Sequence, residues 1–273
     1  MNDQSKLVVV SGAFDDIRSA DLRFLEEASK VGKVHVLLWP DKTVRASTGR
    51  PPKFPLAERE YFLKAVRFVA HVELVRAAFE GDRLPAGMCP DIWVDRECPQ
   101  NSGRATWSRK SGIEYRVLSA NQLAGFPTSP AEPKTGMRKK VMVTGCYDFF
   151  HSGHIRFFEE VSAYGDLYVV VGHDANIRFL KGEGHPLLSQ EERRYVAGTI
   201  RYVTEALISS GDGWLDAEPE IQRIKPNIYA VNEDGDRGGK RQYCEQHGIE
   251  YLVLKRRPAP GLPPRTSTEL RGF

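Results

Sequence analysis

The amino-acid sequence of this 273-residue chain repeats itself. Laying Gly12 on Gly145 aligns about a dozen identical residues over about 34 positions, where typical residue usage gives roughly two by chance. The matches keep their order to the end of each copy, where Gly112-Ile113-Glu114-Tyr115 falls on Gly248-Ile249-Glu250-Tyr251. Two copies of one domain therefore account for the chain, and this restricts the fold more than any other feature.

The repeat also predicts the domain boundaries. The first copy takes residues 1–126 and the second takes residues 139–273. Residues 127–138 lie between them, and the prolines Pro127, Pro130 and Pro133 favour an extended, poorly packed chain there. We therefore predict a linker at 127–138.

The hydrophobic pattern predicts an α/β fold with parallel sheets in each copy. In the second copy the apolar runs Val141–Val143 and Leu167–Val171 flank a segment in which Ile155, Phe158 and Val161 mark one helix face. Strand, helix and strand in this order form a βαβ unit with a right-handed crossover. Ligands of such sheets bind at the carboxyl ends of the strands.

Further strands are predicted at Ile228–Val231 and Tyr251–Leu254, and a further helix at Gln190–Arg201. The residues that follow Val143, Val171 and Val231 are therefore the ones to examine for chemistry.

Two histidines follow the first strand of the second copy. His151 and His154 are three residues apart, which places them on one face of a helix's first turn, and Gly153 between them leaves room for a ligand near the backbone. Imidazoles at a helix start can donate hydrogen bonds to phosphate oxygens. Taken alone, such a pair is also typical of core or surface histidines. A zinc site would need a third ligand, and none stands at a recognisable spacing.

The surrounding block, Gly145-x-Tyr147-Asp148-x-x-His151-x-Gly153-His154, resembles the signature of the HxGH (HIGH) nucleotidyltransferase superfamily. It is most similar to the cytidylyltransferases of phospholipid and polyol metabolism and to sugar-phosphate adenylyltransferases. The resemblance covers Lys140 to Arg271, and its other parts follow in the family's order: Gly165-Asp166, Asp174 with Lys181-Gly182, Glu191-Glu192-Arg193, and Thr266-Ser267-Thr268-Glu269-Leu270. It implies two tandem Rossmann-like domains, an architecture that resembles ethanolamine-phosphate cytidylyltransferases.

The resemblance implies transfer of CMP from CTP to a phosphorylated alcohol or sugar, with release of pyrophosphate. Transfer of AMP from ATP to a sugar phosphate is the alternative. The implied catalytic residues are His151, His154 and Lys181. The implied nucleotide contacts are Gly145, Tyr147, Gly153, Asp234, Arg265, Thr266, Ser267, Thr268 and Arg271. Asp148 is expected to orient the glycine-rich turn or the acceptor, with helix capping as the alternative. Asp174 is expected on the acceptor or metal side of the cleft.

A nucleoside triphosphate brings more negative charge than these residues offset, so we expect Mg²⁺ to enter with the nucleotide. We expect no metal site built from protein ligands alone.

The first copy departs from this pattern. Arg18, Ala20 and Asp21 stand where the second copy has His151, Gly153 and His154, and Thr48 replaces Lys181. A carboxylate repels phosphate, so we predict that the first copy is a non-catalytic partner domain.

Composition excludes other classes of function. The 39 Lys and Arg residues nearly balance the 36 Asp and Glu residues, which disfavours a nucleic-acid partner. No apolar run approaches the roughly 18–20 residues of a membrane span. The polar start carries no signal sequence, and the cysteines Cys89, Cys98, Cys146 and Cys244 form no CxxC pair, so we expect a cytoplasmic protein with reduced thiols.

Two other functions stay open. A non-catalytic regulatory protein could bind nucleotide without turnover, although the intact His151, His154 and Lys181 favour an enzyme. A class I aminoacyl-tRNA synthetase fragment would share the histidine element. Such a fragment would also carry a KMSKS-like loop, and none is visible in this sequence. Because relatives of this fold commonly pair, we expect the domains to associate within one chain or in a homodimer.

Overall fold

The computed structural model describes residues 6–75, 83–99, 101–128 and 138–270. The chain divides into two compact units, Met1–Gly125 and Phe126–Phe273. Each unit is an α/β domain whose five strands form one parallel sheet, which confirms the predicted fold class. Residues 129–137 of the predicted linker lie outside the described residues.

The first unit contains five strands and four helices within the described residues. They are β1 (Leu7–Gly12), α1 (Ser19–Ser29), β2 (Lys33–Leu38), α2 (Asp41–Thr48), α3 (Leu56–Ala65), β3 (Val69–Leu74), β4 (Ile92–Arg96), α4 (Asn101–Lys110) and β5 (Glu114–Leu118). The strand order across the sheet is β3-β2-β1-β4-β5.

The described part of the second unit contains five strands, six helices and two 3-10 turns at Gly213–Leu215 and Glu233–Gly235. Its elements are β6 (Lys140–Gly145), α5 (Ser152–Ser162), β7 (Asp166–Val171), α6 (Asp174–Lys181), α7 (Gln190–Gly198), β8 (Val203–Ile208), α8 (Glu218–Ile224), β9 (Ile228–Asn232), α9 (Lys240–Gln246), β10 (Glu250–Leu254) and α10 (Ser267–Leu270). The strand order is β10-β9-β6-β7-β8, which read from its other edge is the order of the first sheet.

The core of the second unit lies on both faces of its sheet. The α5 face predicted from the sequence is confirmed, since Ile155, Phe158 and Val161 are fully buried. On the central strand β6, Met142 is also fully buried, within a cluster that includes Tyr229 of β9. Burying such a side chain contributes about 1.5–3 kcal/mol each. This packing fixes β6 and α5 against each other, and with them the turn that joins the two.

Helix α7 is shorter than the sequence predicts. It ends at Gly198 rather than Arg201, because the Ile200 N–H bonds to the Ala197 carbonyl three residues back at 3.3 Å instead of continuing the helical pattern. The chain then enters β8 at Val203. Phe126 packs against α7, with 6.0 Å between the centroids of its ring and the Tyr195 ring. Phe126, placed in the first domain by the sequence, therefore packs with the second unit.

No helix among the described residues has the length and apolar character needed to cross a bilayer.

Candidate active site

A cavity of about 580 Å³ opens beyond the carboxyl end of β6, beside that of β9. Strand β6 pairs with β7 on one side and with β9 on the other, so this is where the strand order reverses and where such sheets bind ligands. The site residues predicted from the sequence that line it are Gly145, Tyr147, Asp148, His151, Gly153, His154, Lys181, Asp234, Thr266, Ser267 and Thr268.

The first turn of α5 carries the two histidines. His151 is the N-cap residue, and its Nδ1 accepts a hydrogen bond from the Gly153 N–H at 3.1 Å. This bond leaves the proton of the neutral ring on Nε2. The His154 ring stacks on the His151 ring with 4.0 Å between centroids. The two imidazoles are therefore held as one rigid pair.

Both imidazoles are uncharged at neutral pH. Burial, together with the positive charges of Arg256 and Arg265, lowers the pKa of His151 to about 3. Burial is also the main cause of the lowered pKa of His154, followed by the neighbouring His151. The pair can therefore offer neutral N–H groups to a ligand.

Two ring nitrogens of the pair are buried without a hydrogen-bond partner in the described part of the chain. They are Nε2 of His151 and Nδ1 of His154. A buried polar group without a partner costs about 1–3 kcal/mol, so such groups in a cavity are typical of a ligand site. The Nε2–H of His151 can donate to an acceptor oxygen.

Gly145 and Gly153 make room for side chains of the site itself. A Cβ on Gly145 would lie 2.7 Å from Cζ of Tyr147, and a Cβ on Gly153 would lie 2.9 Å from Cε1 of His151. The Tyr147 backbone has a φ of 55°, and its ring meets the His154 ring edge-on at 5.2 Å. The glycine between the histidines is thus needed by the His151 ring, and Tyr147 supports His154 from behind.

The two predicted orienting carboxylates are engaged inside the protein, Asp148 with backbone N–H groups and Asp174 with a side chain. Asp148 is buried and accepts hydrogen bonds from the N–H groups of Leu187 and Leu188 at 2.9–3.0 Å. Asp174 lies outside the cavity lining and pairs with Arg193 at 2.6 Å. Both carboxylates fix the loops around the turn after β6.

Arg193 is fully buried and ties three loops together. Beyond Asp174, its guanidinium donates to the carbonyls of Cys146, Gly172 and Leu188 at 2.7–3.0 Å. Cys146 belongs to the turn after β6, and Gly172 follows β7. The sequence identified Arg193 only as part of a family motif, and its central position emerges from the fold.

Lys181 is the last residue of α6 and lines the cavity. Its positive charge contributes to the lowered pKa of His154. The lysine therefore faces the same space as the imidazoles.

The hydroxyl-bearing segment Thr266–Thr268 lines the cavity at the start of α10. The Ser267 hydroxyl donates to the Phe149 carbonyl at 3.3 Å, which ties this segment to the β6–α5 turn. Arg265 is not among the lining residues, and its carbonyl accepts a hydrogen bond from Arg256 at 2.8 Å. Arg271, predicted as a nucleotide contact, lies outside the described residues.

Several lining residues were not predicted from the sequence. Cys146, Phe157, His185, Lys240 and Arg256 are the ones with distinctive chemistry. Lys240 begins α9, and its pKa is lowered by burial. Arg256 stands two residues beyond β10, so the rule that ligands bind at strand ends could have found it. Asp234, predicted as a nucleotide contact, forms an ion pair with Arg256.

Comparisons with known proteins identify the family to which the chain belongs. A family model described as cytidylyltransferase-like matches residues 142–272. An FAD synthase from Ferroglobus placidus is 34% identical over 120 residues, which cover 43% of this chain and 75% of that protein. The chain belongs to the cytidylyltransferase-like family. This is a nucleotidyltransferase family. The cavity, the histidine pair and the segment Thr266–Thr268 all lie within the matched residues.

Two further proteins are similar to parts of this chain. The bifunctional protein HldE of Pelobacter propionicus is 32% identical over 236 residues, covering 80% of this chain and 47% of that protein. This match is longer than the second unit, so it includes part of the first. The chain thus spans about half of this relative. A solved lipopolysaccharide core biosynthesis protein from Thermoplasma volcanium covers 45% of this chain and 99% of its own, with 24% identity and a TM-score of 0.38.

The first unit of this cytidylyltransferase-like chain retains the loop-holding bonds of the second. Asp15 accepts from the N–H groups of Lys53 and Phe54, and the fully buried Arg59 pairs with Asp41 at 2.6 Å. These bonds repeat those of Asp148 and Arg193.

The residues of the first unit at the histidine positions form internal ion pairs. Arg18 pairs with Asp16 at 2.7 Å, and Asp21 pairs with Arg96 at 2.8 Å. Asp21 also accepts from the Arg18 N–H, and the Arg96 guanidinium lies 4.7 Å from the centre of the Phe24 ring. Charged groups of the protein therefore bind each other at the positions where the second unit has its two imidazoles.

Proposed function

We propose that the second unit transfers a nucleotidyl group from a nucleoside triphosphate to a phosphorylated acceptor and releases pyrophosphate. The observation that carries this proposal is the stacked, neutral pair of His151 and His154 with buried, unpartnered ring nitrogens beside the cavity. Neutral donors held in place stabilise charge on a reacting phosphate without having to give up a proton. The match of residues 142–272 to the cytidylyltransferase-like family supports the same reaction.

In this reaction a phosphate oxygen of the acceptor forms a bond to the α-phosphorus, and the bond to the pyrophosphate oxygen breaks with its electron pair leaving on pyrophosphate. His151 and His154 would donate hydrogen bonds to the α-phosphate as its charge redistributes. Lys181, on the α6 side of the cavity, would neutralise the acceptor phosphate or the transferred group. The hydroxyls of Thr266–Thr268 would bind the pyrophosphate portion.

The nucleotide is the point on which the two candidate forms of the reaction differ. CTP with a phosphorylated alcohol or sugar is the form predicted from the sequence. ATP is the second candidate, and the relative named FAD synthase favours it because FAD contains an adenylyl group. Both nucleotides present the same triphosphate to the histidine pair.

Mg²⁺ is proposed to enter with the triphosphate. The carboxylates that line the cavity are Asp148 and Asp234, within the described ranges. Asp148 accepts backbone N–H groups with both oxygens, and Asp234 is paired with Arg256. These residues fit a metal held mainly by substrate phosphates, which is how Mg²⁺ commonly binds in triphosphate sites. When bound, the ion would offset charge on the triphosphate.

The test is pyrophosphate release by the whole chain with CTP and ATP in parallel, over a panel of phosphorylated alcohols and sugar phosphates. We expect one nucleotide to support turnover with at least one acceptor, and excess chelator to abolish it. Binding of nucleotide without pyrophosphate release for any acceptor would instead support a regulatory protein. Full activity in chelator would contradict the role given to Mg²⁺.

A further inference from the structure

The proposed reaction leaves one wall of the cavity to the nucleoside. Attacking and leaving oxygens lie roughly in line through the phosphorus, so the acceptor and pyrophosphate take different sides of the α-phosphate. In that reaction Lys181, on the α6 side, serves the acceptor, and the hydroxyls of Thr266–Thr268 serve pyrophosphate. The base, which the α-phosphate carries through its ribose, is then expected along the third wall, at the end of β9 and the start of α9.

This third wall suits a flat ring. The described lining residues that form it are Ala230, Val231, Asn232, Asp234, Gly235 and Lys240. Ala230 and Val231 are buried and apolar, and Gly235 carries no side chain, so the wall offers the apolar contact that the face of a base needs. The polar side chains beside it are left to recognise the edge of the base.

Lys240 is the donor on this wall that the protein itself leaves unused. Its ammonium forms no hydrogen bond or ion pair with the residues that the structure describes, and its side chain is half-buried, which lowers its pKa. The carboxylates of Asp216 and Asp236 act on it only through their charge. Asp216 accepts from the Ser209 hydroxyl at 2.7 Å, and Asp236 accepts from the Tyr251 hydroxyl at 2.9 Å. Because burying a cation without an acceptor costs free energy, a ligand atom that accepts from Lys240 stabilises it.

The repeat shows what the same position does without a ligand. Laying Gly112 on Gly248 places Arg104 at the position of Lys240. The Arg104 guanidinium is buried in the first unit and pairs with Asp95 at 2.6 Å. The first unit therefore uses its cation inside the fold, whereas the second unit leaves the corresponding cation facing the cavity.

The chemistry of an ammonium restricts the bases that it can bind. It donates three hydrogen bonds and accepts none. On the pairing edge of a base, N3 of cytosine and N1 of adenine accept a hydrogen bond, whereas N3 of uracil and N1 of guanine carry a hydrogen and donate. A donor held at this edge therefore matches cytosine and adenine and opposes uracil and guanine.

We propose that Lys240 binds the base of the nucleotide through this ring nitrogen and so selects CTP or ATP against UTP and GTP. This inference rests on the proposed function. It makes Lys240 a specificity-determining residue, whereas the histidine pair acts on a phosphate that all four nucleotides share.

Calorimetric titration of the whole chain with CTP, ATP, UTP and GTP in Mg²⁺ tests this proposal. The wild-type chain should bind CTP or ATP at least tenfold more tightly than UTP and GTP. Lys240→Met keeps an unbranched side chain but removes the donor, and it should weaken the preferred nucleotide by about tenfold, the effect of one lost hydrogen bond from a charged group. UTP and GTP should change by less than about twofold, and Lys240→Arg should recover part of the preference. Lys255→Met, an exposed lysine that is not among the lining residues, is the matched control and should change no affinity.

The matching nucleosides separate a base contact from a phosphate contact. If Lys240 binds the base, Lys240→Met weakens the preferred nucleoside by the same factor as its triphosphate. A loss confined to the triphosphates, or an equal loss for all four of them, would show that Lys240 acts on phosphate, and its role in base selection is then wrong.

Failure of this inference is distinct from failure of the proposed function. If the wild-type chain transfers a nucleotidyl group but prefers UTP or GTP, or if Lys240→Met keeps the wild-type preference, the role of Lys240 alone is overturned. If the wild-type chain binds none of the four nucleotides, the proposed function and this inference both fail.

Discussion

At the scale of single residues, burial changes what histidine can do in this site. An exposed imidazole is partly charged near neutral pH, but His151 and His154 pack against each other and against Tyr147 and Phe150, and their rings stay neutral. Neutral imidazoles can donate hydrogen bonds without bringing a charge that must be desolvated. The positive charge of the site is left to lysine and arginine.

Replacing His151 or His154 with Ala is expected to lower kcat by about 10² to 10³ each, the usual cost of losing one preorganised donor at a developing charge. The measurement is kcat under saturating nucleotide and acceptor. His247→Ala, an exposed histidine at the end of α9, is the matched control and should keep wild-type turnover. Near-full kcat in either site variant would contradict the catalytic assignment.

The lowered pKa of His151 predicts how stability depends on pH. The unfolded chain binds a proton at this ring near pH 6.5, whereas the folded chain does so only near pH 3. Its contribution to stability is therefore complete above pH 6.5 and is lost as pH falls toward 3. At pH 5 the loss is about 2 kcal/mol for this one ring.

Urea unfolding at pH 7.5 and pH 5 measures this effect. The His151→Asn variant should lose about 2 kcal/mol less than the wild-type chain between the two pH values, because the pKa of His154 is lowered mainly by burial and the remaining titrating groups act alike in both proteins. Equal losses in the two proteins would show that the ring of His151 is not held neutral by the fold.

At the scale of elements, both units hold the turn after their first strand with the same two kinds of hydrogen bond. A buried carboxylate accepts the N–H groups of a distant loop, as Asp148 and Asp15 do, and a fully buried arginine binds carbonyls at the ends of neighbouring strands, as Arg193 and Arg59 do. These bonds place the turn after β6 so that α5 starts at the cavity. They act on loop positions rather than on the reaction.

Replacing Arg193 with Met is therefore expected to destabilise the second unit by about 3–5 kcal/mol, since it leaves Asp174 and several carbonyls without their partner. Arg223→Met on α8 is the control, because Arg223 is exposed, and it should stay within about 0.5 kcal/mol of wild type. Denaturant unfolding of the whole chain gives both values. A small loss for Arg193→Met would mean that the loops hold without the arginine.

The sequence predicted those parts of the fold that depend on local pattern. The apolar runs located the strands, the spacing of Ile155, Phe158 and Val161 gave the buried face of α5, and the strand-end rule pointed to the His151 turn. The same rule could have found Arg256, two residues beyond β10, but the sequence pattern does not show that the loop after β10 reaches the cavity. The sequence also could not show that Gly153 accommodates the His151 ring, since that contact depends on side-chain packing.

At the scale of the whole molecule, the two units share a strand order and differ in what fills the space after their first strand. In the second unit this space is a cavity with unpartnered imidazole nitrogens. In the first unit Arg18 and Asp21 are engaged with Asp16 and Arg96. A phosphate entering there would have to break these pairs and then face the carboxylate of Asp21. At about 4 Å such a repulsion costs on the order of 4 kcal/mol at an effective dielectric constant near 20.

This difference predicts that one chain binds one nucleotide. Calorimetric titration with CTP and with ATP in Mg²⁺ should give a stoichiometry near one for the nucleotide that binds. Replacing both His151 and His154 with Ala should abolish the binding signal, whereas Asp21→Ala in the first unit should leave both affinity and stoichiometry unchanged. Asp21→Ala removes the repulsive carboxylate but supplies neither an imidazole nor the counterpart of Lys181, so it creates no second site. Two comparable sites in the wild-type chain, or one that survives the double histidine variant, would mean that the first unit also binds nucleotide and that its ion pairs open on binding.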